Sequence, residues 1–305
     1  MNAARVGQIR SFNRTVTQRV GALSDAFLGR GRPLGQARLL WEIGPDGAEV
    51  RTLRARLELD SGYLSRLLRS LAADGLVDVR RSRTDGRVRT ARLTRRGLAE
   101  RAELDRRAGD VAASILRPLT DGQQDRLVSA MAEVERLLAA SAVRVRVCDP
   151  RHPHARFCEH AYFAELACRF DAGFDPAHSH TASVADLTPP AGLLLVATLH
   201  GEPAGCGALR VHGRGPAELK RMWVAPDRRG LGLGRRLLAE LEAHAAANGM
   251  RVLRLETNRS LAEAVTLYRT AGYREVTPFN DEPYAHHWFE KRIGPARRGH
   301  MVGAS

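Results

Sequence analysis

Lysine is nearly absent. Of 48 basic residues only Lys220 and Lys291 are lysines, and the rest are arginines. Such a bias also follows from GC-rich coding, so the formal charge of +14 says little by itself about a nucleic-acid partner. Four cysteines are too few for a disulfide scaffold. Cys148, Cys158 and Cys168 recur at even spacing and Cys206 stands alone, so no pair has the short spacing of a zinc site and no metal is expected. No apolar run approaches the ~18 residues of a membrane helix. The basic N-terminal stretch Met1 to Thr15 has no apolar segment behind it, so no secretory signal is read. These absences lead to the expectation of a cytoplasmic protein with no membrane partner. Histidine, too, is missing from the first 150 positions, and all eleven histidines follow.

What is present is ordinary globular composition, 44% hydrophobic and 27% charged, which excludes disorder for the chain as a whole. A length of 305 residues suits two domains of about 150 each. Residues 1–142 carry 26 Arg against 17 Asp and Glu, a net of +9, and residues 143–305 a net of +5. Two domains of separate origin are therefore expected, 1–142 and 143–293, with a disordered tail at 294–305.

The first half has helical periodicity. Helices are expected over Arg5 to Leu28, Leu34 to Ile43, Val50 to Leu59 and Ser61 to Asp74. In the last, Leu64, Leu67, Leu68 and Leu71 follow the i, i+3, i+4, i+7 pattern of one buried stripe. The period then changes. Leu76 to Arg81 and Arg87 to Leu93 read as strands around the turn pair Asp85-Gly86. Helix resumes near Arg95 until Pro118 breaks it, and Thr120-Asp121-Gly122-Gln123 is a capping box opening a final helix.

Two helices and a tight connection make a helix-turn-helix, the second helix being the one that enters a major groove. Its burial stripe leaves Ser61, Tyr63, Ser65, Arg66 and Arg69 on other faces, where arginines reach guanine edges or phosphates. The hairpin adds Arg83 and Arg87 at its tip, and a narrow arginine-tipped hairpin suits the minor groove. The stretch LRARLELDSGYLSRLLRSLAADGLVDVRR, then DGR and LTRRG, resembles the winged helix-turn-helix of MarR-type transcriptional regulators. The resemblance implies double-stranded DNA as partner, at a pseudo-palindromic operator read by a homodimer joined through its first and last helices. Two-fold pairing would put two recognition helices about one DNA turn, roughly 34 Å, apart.

The second half alternates strand and helix. Strands are expected at Val143 to Val147, Leu193 to Leu199, Ala204 to Val211, Ala217 to Val224, Val252 to Thr257, Tyr273 to Val276 and His286 to Arg292. Helices are expected at Arg156 to Phe170, Arg235 to Asn248 and Leu261 to Ala271. Between the fourth strand and the second of these helices lies Arg229-Gly230-Leu231-Gly232-Leu233-Gly234-Arg235. Its glycines let backbone approach a ligand, and the helix start offers free N–H groups to an anion. A P-loop would need Gly-Lys-Ser/Thr, which is missing. A dinucleotide fold would place the glycines after its first strand. The diphosphate of coenzyme A and a merely structural turn remain.

ELKRMWVAPDRRGLGLGRRLL and LRLETNRSLAEAVTLYRTAGYREV resemble the fourth and fifth strands of GNAT acyltransferases with their following loop and helices. The whole chain is then multidomain, a mainly-α winged helix-turn-helix domain followed by an α/β GNAT domain with a mixed, splayed sheet. The resemblance implies a GNAT-type N-acyltransferase using acetyl-CoA, with Met222, Trp223 and Val224 lining the pantetheine arm through backbone groups. Arg229, Gly230, Leu231, Gly232, Leu233, Gly234 and Arg235 would hold the diphosphate, and Asn258 would touch the cofactor near its thiol.

The chemistry makes its own demands. An amine is mostly protonated at neutral pH and needs a base, the tetrahedral oxyanion needs a donor, and the leaving thiolate needs a proton. Tyr268 matches the family's thiol-side tyrosine, against a plain core role. Glu218 is the candidate base, against a salt bridge with Lys220 or Arg221, and Glu256 is a weaker candidate. His286 and His287 are candidates for acceptor binding or simply solvated. His152, His154, Cys158 and His160 give no clean tetrahedral set. Three functions stay open: a regulator that also acetylates an unidentified amine of a small molecule or protein, a non-enzymatic regulator whose GNAT-like domain senses acyl-CoA, and an acetyltransferase whose helix-turn-helix only pairs two copies.

Overall fold

The computed structural model describes residues 2–81, 88–171, 173–213 and 215–294. The chain divides into two compact units, Met1–Ala132 and Glu133–Ser305, the division falling inside a helix that the sequence reading keeps whole.

The first unit begins with α1 (Ala3–Arg19). The helix expected to run to Leu28 stops nine residues short of it, because Gly21 turns left-handed and Leu23, counted on the apolar face, is 87% exposed. A single 3-10 turn at Phe27–Gly29 leads into α2 (Leu34–Ile43). Then come β1 (Ala48–Glu49), α3 (Val50–Leu57), α4 (Ser61–Ala73), β2 (Val77–Arg81), β3 (Arg89–Leu93), α5 (Arg95–Leu116) and α6 (Asp121–Ala142). The sheet order is β1-β3-β2, antiparallel throughout. β1 escaped the sequence reading, since two residues carry no period. The leucine stripe of α4 is buried with Leu39, Leu40, Ile43, Leu53 and Leu104. At α6 the Gln123 side chain reaches back to accept the Thr120 N–H at 3.0 Å, one arm of the expected box.

Thr94 caps α5, accepting from the Gly97 N–H at 3.1 Å and donating to the Gly75 carbonyl at 2.7 Å. This clamp draws Gly97 onto the chain at Leu76. A Cβ on Gly97 would lie 2.0 Å from the Leu76 carbonyl oxygen, and backbone cannot swing away as a side chain does. Gly97→Ala is therefore expected to destabilise the first unit by about 3 kcal/mol. Urea unfolding followed by circular dichroism measures this, and a variant within about 0.5 kcal/mol of wild type would show that α5 is not clamped this way.

The second unit holds one sheet in the order β4-β5-β6-β7-β8-β10-β9. Its strands are β4 (Arg144–Val147), β5 (Gly192–Leu199), β6 (Glu202–Arg210), β7 (Ala217–Val224), β8 (Val252–Thr257), β9 (Arg274–Val276) and β10 (His287–Arg292). Its helices are α7 (Pro153–Arg169), α8 (Leu233–Ala247) and α9 (Ala262–Thr270). Side chains of β5 sort by parity. Leu193, Leu195, Ala197 and Leu199 join the core under α8, while Leu194 and Val196 join the core with Ala155 and Cys158 of α7. Burial on both faces explains why this strand reads as an unbroken apolar run.

All pairs are antiparallel except β7 with β8, which match in register only at Ala217↔Leu253 and Glu218↔Arg254. Beyond those two steps the strands diverge. A β-bulge starts the divergence. Lys220 pairs Ala208 and Trp223 pairs Cys206, so β7 carries one residue too many between them. Arg221 absorbs the excess at φ +53°, an uncommon conformation for a residue with a side chain, and the Cys206 thiol donates to its carbonyl at 3.2 Å. Among the described residues no helix is long and apolar enough to cross a membrane.

Candidate functional site

The divergence of β7 from β8 opens onto the glycine-rich bend. Gly230 sits at φ +80° and Gly232 at φ +75°, with nothing within 4 Å of a Cβ built at either. These two are glycines for conformation. Gly234 is different: its backbone is ordinary, and a Cβ there would stand 3.4 Å from Leu267 across the opening. Gly232 is the N-cap of α8 and supplies no side-chain cap, so the first N–H groups of that helix keep their donor capacity and the positive end of its dipole.

Beside the bend lies a cavity of about 500 Å³. β7 lines it with Met222, Trp223 and Val224, the bend with Arg229, Gly230 and Gly232 through Arg235, and α9 with Glu263 and Tyr268 among others. α7 closes it with Tyr162, Glu165 and Leu166. Of the residues expected on the diphosphate, Leu231 does not line it and packs on the core instead. Arg229 lines it but is already engaged. Its guanidinium bonds both Glu165 oxygens at 2.6 Å and the Val224 carbonyl at 3.2 Å. Glu165 also accepts from Trp223 Nε1 at 2.9 Å and from Arg169 at 3.1 Å. Burial pushes this carboxyl up, and the two arginines and the indole together outweigh it, so it sits below its usual range.

Tyr268 packs in the core and also faces the larger cavity. Its ring packs against Tyr273 and Phe289 at centroid distances of 5.8 and 6.0 Å, and the residue lines the cavity. Among the described residues its hydroxyl has no hydrogen-bond partner. Burial, with the nearby charge of Glu256, holds the phenol above its ordinary value, so the proton stays on at neutral pH.

A second, smaller cavity of about 80 Å³ adjoins the first and shares Tyr162, Leu166 and Leu261 with it. Asn258 lines this one and not the larger. It is 6% exposed and committed, donating to the Tyr284 carbonyl at 2.7 Å and accepting the Ser260 N–H at 2.9 Å. Asn258 thereby ties two loops together.

Glu218 lines neither cavity. It belongs to the paired part of β7 and β8, before the divergence, where His212 Nε2 at 3.1 Å, Lys220 Nζ at 3.6 Å and Arg210 at 4.0 Å surround it. Burial raises its carboxyl, and Lys220, His212 and Arg210 pull it net below its usual range. The ion pair with Lys220 that the sequence offered for Glu218 is present. The carboxylate at the opening is Glu256, ion-paired with Lys220, with its second oxygen buried and without a partner. Glu165, Tyr162, Arg221 and Glu282 were not singled out as site residues; Tyr162, Glu165 and Glu282 lie in no motif, and Arg221 lies in one only as a neighbour of Met222. His287 pairs with Glu275 at 2.5 Å, and neither it nor His286 lines a cavity. Among the described residues no three His, Cys, Asp or Glu stand together as metal donors.

In the first unit Asp60 caps α4, accepting the Tyr63 N–H at 2.8 Å. Ser61, Tyr63, Arg66 and Arg69 are exposed and Ser65 is half-buried. The Arg66 guanidinium lies over the Tyr63 ring at 5.7 Å, and Arg69 Nε reaches the Ser65 carbonyl at 3.4 Å. Arg83 and Arg87 lie outside the described residues, as does the turn between them.

Residues 159–273 match the family model of the acetyltransferase (GNAT) family, and residues 30–88 that of the MarR family. An IAA acetyltransferase of Azospirillum brasilense is 40% identical over 111 residues, 36% of this chain and 71% of that protein. An uncharacterised N-acetyltransferase of Schizosaccharomyces pombe is 37% identical over 97 residues, 31% of this chain and 60% of that protein. Among solved structures, the PcaV transcriptional regulator of Streptomyces coelicolor is similar at 22% identity over 42% of this chain and 89% of that one, with a TM-score of 0.34.

Proposed function

Because the chain belongs to the GNAT acetyltransferase family and carries a MarR family region ahead of it, we propose that one polypeptide joins acetyl-CoA-dependent N-acetylation, in 143–293, to operator binding, in 1–142. The supporting observation is the uncapped start of α8 behind two left-handed glycines, set beside a 500 Å³ cavity where β7 leaves β8. Acetyl-CoA, when bound, supplies an activated acetyl thioester. The amides of Gly230 to Arg235 suit its diphosphate, and Met222 to Val224, released from pairing with β8, offer backbone groups to its arm. Glu256 is the carboxylate placed to take the amine's proton, directly or through a water. Tyr268 keeps its proton and can give it to the departing sulfur. The amine enters from the smaller cavity and meets the thioester between Tyr162 and Leu261.

In the first unit α1 exposes Val6, Ile9 and Phe12, and its part of α6 exposes Val128 and Met131. A second copy covering these faces would set two α4 helices on a pseudo-palindrome. A cytoplasmic location suits both activities.

Calorimetry with acetyl-CoA tests the reading. Wild type is expected to give saturable heat, and Gly232→Ala to weaken binding about tenfold, since a side chain in the left-handed region costs roughly 1–2 kcal/mol. No heat from wild type overturns the enzyme. Heat without thiol release from any of a broad set of amines leaves the acyl-CoA sensor.

A further inference from the structure

The smaller cavity holds an imbalance that acetyl transfer alone does not explain. Four charged side chains line it, Lys220, Arg221, Glu256 and Glu282, and two of opposite sign, Glu256 and Arg221, are each left one hydrogen bond short. Glu256 and Arg221 are both 9% exposed. The second carboxylate oxygen of Glu256 and the Nε of Arg221 are buried without partners. A buried polar atom left unpaired costs on the order of 1–3 kcal/mol, and more when charged. Two such atoms around one small space are what a ligand with two complementary groups would relieve.

Arg221 is moreover held in place. One terminal nitrogen bonds the Ala182 carbonyl at 2.6 Å and Glu159 at 2.8 Å, and the guanidinium lies 5.7 Å over the Phe163 ring. Its backbone stays in the left-handed region to form the bulge. Strain of this sort, of order 1–3 kcal/mol, persists where the surroundings enforce it and clusters at functional sites. The donor is thus preorganised, and since both contacts use one terminal nitrogen, Nε and the other terminal nitrogen are left to offer. Lys220 cannot take over that part, because Glu256 and Glu218 already hold it.

We propose that this cavity takes the head group of an amino acid or similar amino-carboxylate, with Glu256 receiving the ammonium and Arg221 the carboxylate. A plain monoamine would leave Arg221 unpaired, and a diamine would set a second cation against Arg221. About 80 Å³ admits a head group rather than a drug-sized molecule. Phe170, Phe174 and Tyr284, with ring centroids 4.9 to 5.8 Å apart, make an apolar wall for the rest. The proposal rests on the acetyltransferase reading for its reaction but not for its binding.

Two sets of three compounds test it: alanine, alaninamide and ethylamine, then phenylalanine, phenylalaninamide and phenethylamine. With acetyl-CoA and wild-type protein, the free amino acid in at least one set is expected to exceed its amide and amine by about tenfold or more in kcat/KM, the value of one charge-assisted hydrogen bond. Arg221→Lys keeps the charge and loses the Nε donor. It is expected to raise KM for the amino acid about tenfold more than it raises that for the amine. Calorimetry with the same six compounds in the presence of unacylated CoA reads binding without turnover. Amino-acid heat without thiol release keeps this inference and removes the enzyme. Amides or amines used as well as the amino acids, in both sets, overturn it and keep the enzyme; an advantage for the amides would point to a peptide N-terminus. No heat from either amino acid overturns it too. The wild-type panel decides without any variant.

Discussion

Tyr268→Phe is expected to lower kcat by about 100-fold or more while acetyl-CoA affinity stays within about threefold. Phenylalanine keeps the ring that packs on Tyr273 and Phe289, so the core and the cavity wall survive. The hydroxyl has no hydrogen bond to any described residue, and its removal leaves no orphaned partner. What is lost is a proton donor whose ionisation burial and Glu256 oppose. Single-turnover rates with an accepted amine measure the effect apart from product release. A variant that keeps more than half the wild-type rate would show that the proton comes from elsewhere. Tyr162 is the candidate then, since it lines both cavities and burial raises its phenol as well. The raised values have a second consequence. The native phenols hold their protons past the ordinary value near 10, where an unfolded tyrosine loses its own. The stability they contribute is therefore full below about pH 10 and lost as pH rises beyond it, which thermal melts between pH 8 and 11 would record.

Glu218 and Glu256 show where sequence stops informing. Both are strand carboxylates beside basic residues, and on pattern alone Glu218 looked the better base. What separates them is the length over which β7 and β8 stay paired, and that length is set by the bulge at Arg221. A non-glycine residue in the left-handed region leaves no mark in composition or period. The reading succeeded where one local rule governs: the leucine stripe of α4, the apolar run of β5 as a strand, the full spans of β7 and β8, the glycine bend. It overran at α1, where Val20 and Leu23 continued a helical period that no neighbour buries. It missed β1, too short for a period, and it missed Glu165 and Glu282, which reach the cavities from distant segments of the chain. Arg229 was legible as a residue of the bend, but its engagement by Glu165 was not, because that ion pair spans 64 positions.

Replacing Arg66 and Arg69 together by alanine is expected to weaken operator binding by about 1,000-fold or more. Each arginine occurs twice in a dimer, and one good contact to a base edge or phosphate is worth about 1–3 kcal/mol. Neither change touches the core, since Leu64, Leu67, Leu68 and Leu71 carry the packing of α4 and Asp60 caps it independently. The expected loss is thus one of binding and not of folding. Gel shifts on DNA from upstream of the protein's own gene, run at several salt concentrations, divide the effect. Each phosphate contact removed should flatten the slope of log K against log salt by about 0.9, whatever the DNA sequence. A base contact removed should instead lower affinity for the operator more than for random DNA and leave the slope nearly unchanged. Either outcome is open to both residues, Arg66, which stacks over Tyr63 near the start of α4, and Arg69, one turn further on, and single variants assign them. Should the double variant bind as tightly as wild type at every salt concentration, α4 is not the reading helix. Should wild type bind no DNA better than random sequence, the first unit serves only to pair two acetyltransferases.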